Sequence, residues 1–252
     1  MSGLGRLPGL ATTRSTGRLA GSLHEVVKER LISGEFPAGS RLSIDAFKSE
    51  FGVSKQPIME ALRLLSADGL VEIVPQVGST VMTYSLQDVA DFYEMFAGFE
   101  GAVAAAAAER RSPEQLRYLQ EVHESIGRLR DEPDPAVRAT SYRLLNRAFH
   151  AAIHDMSRSR IMSDTSSRMW DLSDFLINTT GAHRPLSSAT SARHADHDAI
   201  RMAIEAGDAV LARREMENHI LGTVDIIRDK TLIAAMTPAV GLLTGAAARH
   251  AE

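Results

Sequence analysis

Cysteine is absent from all 252 residues. That absence removes a disulfide scaffold, a thiolate nucleophile and a Cys-ligated zinc finger together, and it fits a reducing cytoplasm, the expected location. Long apolar runs are missing too. No stretch reaches the roughly 18 apolar residues of a membrane span, and the apolar tail from Leu232 to Ala248 is broken by Thr237, Pro238 and Gly241, so no membrane role is expected. The N-terminus lacks the compact apolar core of a signal peptide. Residues 1–20, rich in Gly, Ser, Thr and Arg and without periodicity, are expected to form a flexible basic arm.

What is present is an ordinary globular composition, 44% hydrophobic and 24% charged, in a length that suits two domains. The run from Leu42 to Thr83 holds a short helix, a Gly-Val turn, a second helix and a Gly-tipped hairpin. That order predicts a winged helix-turn-helix over 21–83, a DNA-reading module. Ser54 stands at the N-cap of the second helix, its hydroxyl placed to accept from a first-turn amide, and Pro57 at N3 is tolerated because that amide has no partner inside the helix. Ile58, Ala61, Leu62 and Leu65 recur at helical spacing and should face the core. Lys55, Gln56, Met59, Arg63 and Ser66 are left on the outward stripe as candidate readers.

Charge is a poor guide to that role. The whole chain carries −4. Residues 21–83 hold six basic and eight acidic side chains, a net of −2, and Arg6, Arg14 and Arg18 of the arm bring the total to +1. Phosphate contacts are therefore expected from the arm as well as from the helix.

From Ser85 onward nearly everything reads as helix, near 85–110, 113–130, 136–156, 159–180, 187–206 and 208–230. Ser112-Pro113, Pro133 with Pro135, Gly181 before Pro185, and Gly207-Asp208 mark the breaks. Strand alternation and fixed-period repeats are both lacking, which predicts one all-α bundle over 84–231, followed by a C-terminal tail over 232–252. The alanine tract from Ala102 to Ala108 is expected to serve close helix packing.

Three blocks carry a family resemblance in the first half: G34-E-F-P-A-G39-S-R-L42, F51-G-V-S-K-Q-P-I-M-E-A-L-R63 and D68-G-L-V, with a wing around Gly78. They resemble the GntR superfamily of bacterial transcription regulators. The helical half, with N146-R-A-F-H150, H197-D-A-I-R-M-A-I-E-A-G-D208 and M216-E-N-H219, resembles the FCD ligand-binding domain of the FadR subfamily, in its shorter VanR-like form. The resemblance implies a mainly α protein that binds near-palindromic operator DNA as a homodimer and answers to a small molecule. Ser54, Lys55 and Gln56 then meet phosphate or base edges, and Gly78 lets the wing tip approach the minor groove. Two positions depart from the family pattern: Lys55 stands where Arg is usual, and Met59 where Arg is expected one turn later. Lysine is a point charge without arginine's bidentate fork for guanine, so base preference should differ. Met59 can instead touch a thymine methyl.

The same resemblance implies a divalent metal, zinc or nickel, held by His150, His197, His219 and the oxygen of Asn146. Asn146 and His150 share a helix face at i, i+4, and imidazoles with vacant positions suit such ions. Asparagine replaces the family's usual aspartate, so the ligand set is neutral and should lean on an anion to complete it. His154 and His194 are neighbours of this set, while His24, His123, His183 and His250 are read as ordinary residues. An organic acid is the expected effector, with Arg143, on the Asn146 stripe, and Arg193 as candidate clamps. Phe96 replaces an arginine common in the family's first helix, which adds an apolar side to the effector pocket or simply fills the core. A metal-dependent hydrolase is disfavoured by the lack of HExxH or paired carboxylates near the histidines, Asp155 and Asp196 carrying no motif. A dimeric ligand-binding module with degenerate DNA binding is the other alternative.

Overall fold

The computed structural model describes residues 14–76, 78–179 and 190–236. Ala20, Leu23, Val27 and Leu31 recur every three to four positions and all are buried, which makes the first element an amphipathic helix, α1 (Arg14–Ile32). The arm expected over 1–20 is thereby corrected for 14–20. Ala20 already belongs to the apolar stripe, and the helix that buries it extends back through Arg14. Arg6 lies outside the described residues.

A two-residue strand β1 (Arg41–Leu42) precedes α2 (Ile44–Phe51), α3 (Lys55–Ala67), β2 (Val71–Val74) and β3 (Gly78–Val81). Ser43 caps α2 by accepting from the Ala46 amide at 3.2 Å, and Gly52, at φ +65°, ends it with an N–H to the Lys48 carbonyl. The strands form an antiparallel sheet in the order β1-β3-β2, with Arg41 opposite Thr80 and Val74 opposite Gly78. The four apolar residues of α3 expected to face inward, Ile58, Ala61, Leu62 and Leu65, are at most 3% exposed. Burial of Ile58, Leu62 and Leu65 contributes about 1.5–3 kcal/mol each, which fixes the rotation of α3 and hence the stripe it turns outward.

Six further helices follow among the described residues: α4 (Leu86–Arg110), α5 (Pro113–Arg128), α6 (Pro135–Met156), α7 (Arg160–Thr179), α8 (Thr190–Ala206) and α9 (Ala209–Met236). Ser112 and Gln115 form a reciprocal capping box at the start of α5, with Pro113 at N1. Asp134 caps α6, again ahead of a proline. Gly207, at φ +76°, closes α8, and Asp208 accepts from the Leu211 amide at 2.9 Å to open α9. Ala104, Ala106, Ala107 and Ala108 are buried. A Cβ on nearby Gly101 would stand 2.7 Å from Glu217 Cγ, so a larger residue there requires the Glu217 side chain of α9 to move.

Two compact units result. One runs through Gln87 and includes Asp164–Thr179; the other comprises Asp88–Ser163 and the described residues beyond Thr180. This differs from a contiguous helical domain over 84–231, because most of α7 packs with the winged helix. Its contacts there are specific: Asn178 Nδ2 donates to the Ile32 carbonyl at 2.7 Å, Lys28 pairs with Asp171 at 3.3 Å, and the Phe175 ring meets Tyr84 edge-on. His183 and His250 lie outside the described residues, as does the tail beyond Met236.

Candidate functional site

The outward stripe expected of α3 is met in part. Ser54, Lys55, Gln56 and Arg63 are exposed, whereas Met59 and Ser66 are half-buried. Ser54 sits at the N-cap in extended backbone but its hydroxyl makes no capping bond, so the expected cap interaction is corrected. With Pro57 at N3, that position offers no amide for the hydroxyl to cap. Ser54 and the amides of the first turn thus form a polar, positive end suited to a phosphate. Arg63 Nη1 rests 3.0 Å from Glu60 Oε2, an exposed pair worth little and easily exchanged for an outside acceptor. Gly78 begins β3 at φ +124°. A Cβ there would lie 3.5 Å from Arg41 Nε and Nη2, so an arginine from β1 lies against the wing tip. Sequence reasoning missed Arg41; its signal was the basic residue inside S40-R-L42, next to a strand too short for alternation to show.

In the second unit, α6 presents Asn146, His150 and His154 at four-residue intervals, α8 presents His197 and α9 presents His219. One ring nitrogen from each of His150, His197 and His219 lies within 4.8 Å of the others. The three rings are buried, with centroids 5.4 Å apart for His150–His197, 5.3 Å for His150–His219 and 4.7 Å for His197–His219. An ion bound at about 2.0–2.1 Å spans at most about 4.2 Å between two such nitrogens, close to the spacing of these rings. His197 stacks on Phe149 at 4.3 Å, which fixes its plane.

Burial, followed by the neighbouring His219, holds the His150 and His197 imidazoles well below their ordinary value of 6.5. Burial also lowers His219, opposed by its hydrogen bond to Asp196. All three are therefore neutral at pH 7, the form that donates a lone pair to a metal. Both ring nitrogens of His197 are buried with no hydrogen-bond partner among the described residues. Each such orphan costs about 1–3 kcal/mol unless something binds it. The donor set thus fits a zinc- or nickel-like ion held by His150, His197 and His219, with Asn146 buried on the same face of α6.

The other predicted residues fall in three places. Arg193 is buried and committed: it donates to the His219 carbonyl, to Thr223 Oγ1 at 2.7 Å and to Asp196 Oδ2 at 3.4 Å. Phe96 is fully buried, stacked on Phe92 at 5.4 Å in an α4 cluster with Tyr93. Arg143 is half-buried on α6, three residues before Asn146. His154 Nε2 lies 2.9 Å from Glu100 Oε2 in a buried pair, and His194 stacks on His123 at 4.1 Å. Glu100 was not foreseen, since a lone glutamate on an apolar helix face carries no motif.

A winged helix that turns an uncapped, polar helix start outward, joined to an all-α unit with a buried histidine cluster, defines the class of a two-part DNA-binding protein. Known proteins agree with that class. The FCD domain model matches residues 91–222, and that of the bacterial regulatory proteins of the gntR family matches 19–81. The chain belongs to the GntR family of transcription regulators, in its FCD-containing, FadR-like branch. It is similar to the HTH-type transcriptional regulator LutR of Bacillus subtilis, 26% identical over 77% of this chain and 94% of that protein. It is equally similar, at 26%, to the HTH-type transcriptional repressor GlaR of Escherichia coli, over 80% of this chain and 92% of the relative. Among solved structures, Escherichia coli McbR shares the fold with a TM-score of 0.70 at 19% identity, covering 84% of this chain and 97% of that one. A GntR regulator from Rhodococcus sp. RHA1 does so at 0.65 and 20%, covering 86% and 99%.

Proposed function

We propose that this regulator is a homodimeric, cytoplasmic repressor that releases or tightens a near-palindromic operator according to a small carboxylate bound at a zinc or nickel centre. The observation that carries the reading is the set of three buried, neutral imidazoles, His150, His197 and His219, whose nitrogens converge within 4.8 Å. Such an ion keeps its full +2 charge over neutral ligands. It therefore supplies an electrophilic anchor for an anion, with Arg143 as a second cation along the Asn146 stripe. Arg193, spent on protein acceptors, does not serve as a clamp in this reading. Phe96 belongs to the core that shapes the apolar side. Repression follows the function named for the Escherichia coli relative.

A hydrolase finds less support. The two carboxylates considered above are both engaged: Asp196 with His219 and Arg193, Asp155 with Gln115 at 2.7 Å. Neither is poised as a general base. The proposal is tested by purifying the protein without chelator, reading bound metal and copurified acid by native mass spectrometry, and selecting binding sites from random DNA. Stoichiometric metal and a palindromic consensus are expected. A metal-free protein that stays metal-free after zinc or nickel is added back would remove the centre. Uniform affinity for all DNA would remove operator reading.

A further inference from the structure

The second unit contains a four-residue device around His219 whose role is not exhausted by packing. Asp196 Oδ2 lies 3.2 Å from His219 Nδ1 and 3.4 Å from Arg193 Nη1. Arg193 Nη1 also donates to the His219 carbonyl, while Nη2 donates to Thr223 Oγ1 at 2.7 Å, one turn further along α9. One arginine of α8 thus grips the backbone and side chains of α9 on both sides of a single ring.

These contacts decide the tautomer of that ring. Arg193 Nη1 is also 3.3 Å from His219 Nδ1, and Nδ1 cannot both accept from the guanidinium and donate to the carboxylate. An ionised carboxylate only accepts, so a 3.2 Å approach by Asp196 requires the proton on Nδ1. The Arg193 hydrogens have other acceptors in the His219 carbonyl, Asp196 and Thr223, so this choice strands no donor. The lone pair is then on Nε2, the nitrogen left to share in the cluster with His150 and His197.

We infer that Arg193 and Asp196 are positioning residues that fix the His219 tautomer and deliver to the metal centre, through that ring, the negative charge its neutral ligand set lacks. The inference rests on the metal reading above. A carboxylate behind a histidine raises the basicity of the ligating nitrogen and typically changes metal affinity 10–100-fold. With Asn146 in place of a charged ligand, Asp196 brings a carboxylate into hydrogen-bond distance of the His219 ring.

The test is zinc affinity by chelator competition on the full-length protein, with cobalt substituted to read ligand-field bands. Asp196→Asn is expected to weaken zinc about 10–100-fold and shift the cobalt bands. Asp196→Glu is expected to recover most of the loss. Adding Asn146→Asp to Asp196→Asn should restore affinity by placing the charge directly on the ion. Wild-type zinc binding that Asp196→Asn leaves unaltered, or an Asp196→Glu variant as weak as Asp196→Asn, would overturn this inference alone. A wild type that binds no zinc would overturn the metal reading and the inference with it.

Discussion

Asn178 Nδ2 donates to the Ile32 carbonyl at 2.7 Å, across 146 residues of sequence. The bond joins a helix that falls inside the FCD-matched region to the C-terminal end of the first helix of the DNA-binding unit. It fills one of the carbonyls that every helix end leaves without an intrahelical partner. Gly34 follows at φ +76°, and a Cβ on it would stand 2.9 Å from the Asn178 carbonyl oxygen. The turn after α1 is thus shaped for α7 twice over, by a hydrogen bond and by a missing side chain.

Gly34→Ala should therefore destabilise the DNA-binding unit. A left-handed alanine costs about 1 kcal/mol, and the collision is with backbone, which cannot swing away. Asn178→Ala loses one partly buried hydrogen bond, about 1 kcal/mol. Urea unfolding followed by hydrogen exchange is expected to show both losses in α1 and α7 together, with Gly34→Ala the larger. Losses confined to α7 would show that the two helices do not fold as one unit.

DNA affinity should fall when the outward cations go. Lys55→Ala and Arg63→Ala are expected to cost about 1–3 kcal/mol each at preferred sites if they touch bases, and to lower the salt slope evenly if they touch phosphates. Arg41→Ala belongs with the second class, given its place beside Gly78 at the wing. Met59→Arg should move preference toward guanine, since it restores a bidentate donor on the reading stripe. Electrophoretic titrations over a salt series, on sites selected from random DNA, measure all four.

Much of this architecture is legible in the order of the residues. The inward stripe of α3 shows in its periodicity because a helix buries one face, and Pro113, Pro135 and Gly207 mark helix ends because each restricts or frees the backbone locally. The histidines can be found because His150, His197 and His219 sit in spaced family blocks. What escapes such reading depends on distant partners. The Glu100–His154 pair joins residues 54 apart, and the α7 contacts with Ile32 and Gly34 link segments about 145 apart. Strand β1 is two residues long and offers no alternation. The backward extension of α1 to Arg14 is hidden by a Gly- and Ser-rich composition that reads as flexible until Ala20 is seen in the core.

Acid should weaken the second unit. His150, His197 and His219 are all depressed below 6.5, so the unfolded chain takes up protons first as pH falls. Their contribution to stability is complete above 6.5 and is lost progressively below it, toward the depressed folded values. The slope approaches about 1.4 kcal/mol per pH unit for each histidine that is protonated only when unfolded. Metal-free protein melted between pH 8 and pH 5 should hold a plateau and then decline, and His197→Ala should flatten the decline. An equal slope in wild type and variant would place the acid sensitivity elsewhere.

Loss of any one of His150, His197 or His219 to alanine should remove most of the zinc-dependent rise in melting temperature, because each supplies one ligand atom. Asn146→Asp should tighten zinc by adding a formal charge while weakening an anion bound at the same ion. Arg143→Ala should weaken the anion and leave the metal. Isothermal titration of zinc, then of a small dicarboxylate, separates the three outcomes.

In the regulator proposed above, the histidine centre of the helical unit governs the DNA-reading unit. A ligand moves such an equilibrium only by its differential affinity for two states, and the effect is reciprocal. The most direct measurement is the affinity of the full-length protein for its selected operator across a zinc titration, in wild type and in His197→Ala. Zinc is expected to change wild-type affinity by about 5–150-fold and to leave the variant, which still binds DNA, unchanged. Zinc that binds the wild type stoichiometrically without altering operator affinity would contradict the account.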